Sequence, residues 1–173
     1  MTDPNQNSND EKRTWRNYIP LMVLISLSAL ASLALTGFSS FLLTAWMQSF
    51  MGLFLVMFSM FKFFNLPGFA DGFQMYDLLA KRFRPYALLY PFLELGLGLA
   101  YLARFSLQQV YIATIVLMTF GACGVFAAMR NKLKINCACM GTVLNVPLST
   151  VALVEDLGMA LMASVMLIKG FLG

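Results

Sequence analysis

The sequence predicts an all-α bundle of membrane-spanning helices, and three observations carry that prediction. Hydrophobic residues make up 60% of the 173-residue chain and charged residues only 12%, at a mean hydropathy of +0.74. A soluble domain carries roughly a quarter charged residues, so the apolar excess points to lipid rather than to a larger core. The apolar residues also fall in long runs, and about 20 in a row suffice for a helix to cross a bilayer. Finally, lysine and arginine gather in the polar segments between the runs.

Each element follows in order. Residues 1–17 are polar and rich in Asn and Asp, the composition of a disordered leader. From Tyr18 to Phe64 the chain is almost wholly apolar. As one helix this stretch would run about 70 Å, more than twice the roughly 30 Å of a bilayer core. It therefore reads as two spans, 18–36 and 41–63, broken at Thr36-Gly37-Phe38-Ser39-Ser40. A polar loop follows, with a turn signal at Leu66-Pro67-Gly68 and a short interfacial helix expected over 76–82. Three more spans are expected at 85–103, 109–129 and 149–168, the last two joined by a loop over 130–148. The transmembrane domain thus covers 18–173.

Ten basic residues fall on one side of a five-span layout: Lys12, Arg13, Arg16, Lys62, Lys81, Arg82, Arg84, Arg130, Lys132 and Lys134. Arg104 and Lys169 alone fall on the other. Positive charge favours the cytoplasmic side. The expectation is a multi-pass bacterial inner-membrane protein with a cytoplasmic N-terminus, a cytoplasmic 130–148 loop and an external C-terminus. The net charge of +4 is small and gives no support for nucleic-acid binding. The chain has no histidine, which argues against the common zinc and haem sites within one chain. No Gly-rich phosphate loop or nucleophile–histidine arrangement is present, so the motifs of a conventional hydrolase or kinase are missing.

The chemistry-bearing residues are few. Cys137 and Cys139 flank Ala138 in the last loop. A disulfide between them would close a small, strained ring of the labile class. As thiolates they would instead suit a soft ion such as Cu(I) or Hg(II). Arg130, Lys132 and Lys134 favour thiolate in either role. Met140, Glu155 and Asp156 extend the metal reading, and Met159, Met162 and Met166 share a helical face with Glu155. Glu155 and Asp156 equally read as an acidic first turn of the last span, capped by Ser149 or Thr150. Glu94 lies in the middle of the third span, where a carboxyl must face the bundle interior. It reads as a proton-carrying group, an ion ligand, or a partner of Gln48 or a tyrosine. Gly96 and Gly98 beside it allow another helix to approach. Cys123 is a third thiol or a small packing residue in the fourth span.

Several of these segments together resemble the MauE/DoxX family of redox-associated membrane proteins. They are Lys62-Phe63-Phe64-Asn65-Leu66-Pro67-Gly68-Phe69-Ala70, Tyr76-Asp77, Pro91-Phe92-Leu93-Glu94-Leu95-Gly96-Leu97-Gly98 and Cys137-Ala138-Cys139-Met140-Gly141-Thr142. The resemblance covers about residues 41–168 and is nearest the branch fused to heavy-metal-associated domains. It implies a four-helix core, with the first span an addition. It marks Glu94, Cys137, Cys139, Glu155 and Asp156 as motif positions. It also implies an accessory role in methylamine utilisation, in which the Cys137/Cys139 pair exchanges disulfides with a partner such as a thioredoxin-like protein and Glu94 accepts a proton. Any activity of its own would be at most thiol–disulfide redox chemistry. The alternative is soft-metal binding or transport, of copper or mercury, supplied by a metallochaperone. This sequence carries no metal-binding domain ahead of its spans, so the metal is expected to arrive on a separate protein.

Overall fold

The computed structural model describes residues 4–37, 43–75, 77, 79–130 and 148–172. Those residues form six helices and no strand: α1 (Pro4–Thr36), α2 (Leu43–Phe64), α3 (Leu66–Gln74), α4 (Arg84–Leu102), α5 (Leu107–Arg130) and α6 (Leu148–Leu172). The chain is an all-α membrane helix bundle. Leu43–Phe64, Arg84–Leu102 and Leu107–Ala127 are each long and apolar enough to cross a membrane, and α1 adds a shorter apolar stretch at Leu21–Thr36. Helix α1 begins at Pro4, so helix extends through most of the segment whose composition suggests a disordered leader.

The break after the first apolar helix falls where the sequence places it. Gly37 has φ +75° and its N–H reaches back to the Leu33 carbonyl at 3.2 Å. A left-handed residue just past the last turn is a common helix stop, and glycine takes that conformation without strain. The short helix, by contrast, lies at Leu66–Gln74 rather than over 76–82; residues 79–82 form turns. The Asn65 side chain accepts from the Gly68 N–H at 3.2 Å, and proline occupies the first turn. Asparagine at the cap and proline at the start are helix-initiating choices, so Leu66-Pro67-Gly68 opens a helix instead of closing a turn.

Helix α2 lies along α4 and α5 along α6, with α1 on α2 and α3 on α4. The α2–α4 pair is antiparallel and close. A Cβ on Gly52 would sit 2.8 Å from Leu102 Cγ, and one on Gly98 would sit 2.8 Å from Val56 Cγ2. Gly98 therefore does what the sequence assigns to it, since close backbone approach drives helix association in lipid. Gly96 does not: it faces open space. The C-terminal end of α2, the start of α4, the end of α5 and the start of α6 gather at the α3 end of the bundle. The opposite end carries the α4–α5 turn, where Arg104 and Ser106 take positive φ.

A buried ion cluster as candidate functional site

Four ionisable side chains converge inside the α3 end. Lys62, two residues before the end of α2, is buried, and its ammonium contacts the Glu94 carboxylate of α4. The same Nζ lies 3.6 Å from Glu155 Oε1 of α6. Asp156, the next residue of α6, is 5% exposed and packs on α5 at Gly121. A Cβ there would stand 2.6 Å from Asp156 Oδ2, so only glycine leaves room for that carboxyl. Aromatic rings complete the wall. Lys62 Nζ lies 5.1 Å from the Tyr90 ring centroid, 5.4 Å from Phe69 and 5.6 Å from Phe58, within cation–π range. Helix α3 thus supplies Phe69 and covers the cluster.

Three carboxyls surround one ammonium, and the group is incompletely paired. Glu94 Oε2 and Glu155 Oε1 make no hydrogen bond of ordinary geometry. The Tyr90 hydroxyl lies within interaction range of the Glu94 carboxyl. Buried charge is costly unless partnered, and ionisable groups at membrane depth are rare and concentrated on pathways for protons and ions.

Asp77 stands just outside the spans at the same end and is fully buried. Its Oδ1 accepts from the N–H groups of Leu79 at 2.9 Å and Ala80 at 2.8 Å, while Oδ2 has no partner. Burial pushes its pKa above the ordinary carboxylate value, against the lowering pull of those two N–H groups and of Lys81.

Several expectations are now placed. Glu94 faces the interior, but its partner is Lys62; the Gln48 amide instead donates to the Tyr111 hydroxyl at 2.8 Å. Glu155 and Asp156 do not form an acidic first turn, because α6 begins at Leu148 and both carboxyls lie deeper and point inward. Met159 and Met166 are buried in the hydrophobic core, with Met162 packed against it, so this face is packing. Cys123 is exposed on α5, so it is not a core packing residue. Among the described residues no group of three or more His, Cys, Asp and Glu side chains is arranged to hold a metal ion. Cys137, Cys139 and Met140 lie outside the described residues.

Sequence reasoning gave Lys62 and Asp77 no site role, although both lie in segments that carry the family resemblance, and it missed Gly121. Lys62 counts as a surface cation in the charge tally, yet it is 6% exposed. The available signal was a lone lysine at the end of a long apolar run, followed one span later by a lone buried-looking glutamate.

The family model described as "Methylamine utilisation protein MauE" matches residues 40–169. No curated protein and no solved structure matches.

Proposed function

The chain belongs to the MauE family, and on that premise we propose that it is an inner-membrane accessory protein of methylamine utilisation that exchanges disulfides with a partner protein through Cys137 and Cys139. One observation supports this reading. Helix α5 ends at Arg130 and α6 begins at Leu148 at the bundle end that holds Lys62, Glu94 and Glu155. The segment that joins them contains both thiols, and Glu94 and Glu155 lie about 15 and 10 Å along their helices from that end.

The exchange balances with two co-reactants, a partner dithiol that is oxidised and a thioredoxin-like disulfide that is reduced. A partner thiolate attacks one sulfur of the Cys137–Cys139 disulfide and displaces the other as thiolate. The partner's second thiolate then attacks the mixed disulfide. The partner leaves oxidised, and Cys137 and Cys139 are left as a dithiol. A thioredoxin-like protein in its disulfide form reoxidises them by the same two steps reversed. Each displaced thiolate takes a proton and each attacking thiol loses one, so a nearby acid–base group speeds both halves. Glu94, buried beside Lys62, is that group in this reading. The excess of basic residues supports a cytoplasmic N-terminus and thiol segment; with Lys62 taken out of the tally, the count is nine to two.

The test uses the purified, oxidised protein and a reduced two-cysteine peptide, with thiols counted by maleimide mass shift. One peptide disulfide should form per chain, and none with Cys137→Ser/Cys139→Ser. Glu94→Gln should slow the reaction about tenfold. Equal peptide oxidation by the double-serine variant would sink the proposal.

A further inference from the structure

The end of the bundle away from the ion cluster holds a cavity of about 380 Å³, where the start of α2, the start of α5 and the end of α6 meet. Gln48, Tyr111 and Met166 are buried and form its floor. Thr44, Gln108 and Lys169 are exposed and form its rim. Each of the five polar side chains carries a hydrogen-bond donor. The Gln48 amide gives one hydrogen to the Tyr111 hydroxyl at 2.8 Å and keeps a second. The Tyr111 hydroxyl accepts that bond, and its own proton has no acceptor among the described residues. Tyr111 is only 6% exposed, and a donor left unused in such dry surroundings is costly. The surroundings also lack acids. Helices α2 and α5 contain no Asp or Glu. On α6 the nearest acid, Asp156, lies about 20 Å along the helix from Lys169. A pocket with a cation at its rim, unused donors at its floor and no carboxylate on its lining helices suits an anion.

We propose that this cavity binds a phosphate ester, with the phosphate held by Lys169, Tyr111 and Gln48. The donors come from three helices. The tetrahedral oxygens of a phosphate can meet donors from three directions, whereas a carboxylate presents two oxygens in one plane. Lysine binds phosphate as a point charge and needs no second nitrogen beside it. The volume falls within the roughly 300–1,000 Å³ of small-molecule pockets, more than a bare phosphate fills. Met166 and its apolar neighbours on α5 and α6 give the carbon part of the ester a wall to lie against. The position adds to the argument. Lys169 stands near the end of an apolar helix, and lysines so placed reach for the headgroup layer, where lipid phosphates are concentrated. The ester is therefore a phospholipid headgroup or a soluble molecule with the same chemistry. The inference does not rest on the thiol reading.

The experiment is isothermal titration calorimetry of the full chain in an uncharged detergent, at low salt and neutral pH. The two probes are glycerol phosphate and dihexanoyl phosphatidylglycerol, a short-chain phospholipid. At least one should bind with one molecule per chain. Lys169→Gln should weaken that binding about tenfold or more, the loss of a charge-assisted hydrogen bond, and Tyr111→Phe about fivefold. Arg104→Gln removes a cation at the same end but outside the cavity, and its affinity should stay within about twofold of the native value. Lys169 is exposed, so its replacement leaves the packing alone; circular dichroism checks both variants, and Lys169→Gln decides if Tyr111→Phe does not fold. Binding of glycerol phosphate as tight as that of the lipid supports a soluble ester, and binding of the lipid alone supports a headgroup. Binding of neither probe overturns the proposal, as does equal binding by Lys169→Gln and the native chain. A loss with Arg104→Gln as large as that with Lys169→Gln overturns it too, because the attraction would then belong to the positive end as a whole.

Discussion

The two ends of this bundle handle buried polarity in opposite ways. Toward the α4–α5 turn the buried polar groups are neutral and paired. Gln48 donates to Tyr111 at 2.8 Å, Tyr101 donates to Thr114 at 3.0 Å, and the Thr114 hydroxyl donates to the Val110 carbonyl at 2.8 Å. At the α3 end they are charged and incompletely paired: three carboxyls about one ammonium, with Glu94 Oε2 and Asp77 Oδ2 without a hydrogen bond and Glu155 Oε1 held only by its 3.6 Å ion pair to Lys62. Neutral bonds of the first kind join helices at little cost. A charged, under-satisfied group of the second kind is an expensive way to hold helices together, since apolar packing would serve as well. The difference leaves the charged groups of the α3 end without an explanation in helix assembly alone.

Breaking the charged end should produce the largest effect. Lys62→Met keeps an unbranched side chain one atom shorter but leaves Glu94 and Glu155 without their cation. We expect a loss of about 3–5 kcal/mol, the usual result of removing one partner from a buried pair. It is read from unfolding by SDS in mixed micelles. Adding Glu94→Gln to this variant should cost less than the same change in the native chain, because contacting residues couple by about 0.5–3 kcal/mol. Strict additivity would show that the contact carries no energy of its own.

The next effect tests the cavity side of the cluster. Gly121→Val places a branched side chain against Asp156 Oδ2, where even a Cβ would approach to 2.6 Å. Overpacking of this kind costs about 1–3 kcal/mol. Gly96→Ala meets nothing within 4 Å and should be neutral or stabilise by up to about 1 kcal/mol through helix propensity. The contrast shows where reading the sequence succeeds and where it stops. Run length and helix rise locate the apolar helices and the break at Gly37, and Glu94 faces inward because a carboxyl at that depth has nowhere else to go. The choice between Gly96 and Gly98 depends on which side of α4 meets α2, and that is a tertiary fact. Lys62 looks like a cation reaching for headgroups because its partners lie 32 and 93 positions away. Gly121 has no local sign of its purpose, since the carboxyl it accommodates belongs to another helix. The thiol pair is conspicuous in the sequence but lies outside the described residues.

At the neutral end the effects should be smaller. Tyr111→Phe removes the oxygen that accepts from Gln48 and leaves its ring packing in place. Interhelical side-chain hydrogen bonds in membranes contribute about 0.6 kcal/mol on average and about 1.7 kcal/mol at most, and the loss should fall in that range. A cost equal to that of Lys62→Met would erase the distinction between the two ends.

The finest test is the pH dependence of stability, and its sign follows from Asp77. Burial raises this carboxyl's pKa in the folded chain, whereas in the unfolded chain it titrates near 3.9. Below that value both states hold the proton and the contribution to stability is fully present. As pH rises above it, the unfolded state releases its proton first while the folded state keeps it. The folded state then binds more protons, so stability falls with rising pH until Asp77 ionises in the fold as well. Asp77→Asn carries no such charge. The difference in stability between Asp77→Asn and the native chain should therefore shift in favour of the variant as pH rises through this window, and level off beyond it. A difference that is flat from about pH 4 to about pH 8 would mean that Asp77 ionises as readily inside the fold as outside it. The orphaned Oδ2 would then be reached by water, and the α3 end would differ from its opposite in charge alone, without the dry surroundings that give the charge its consequences.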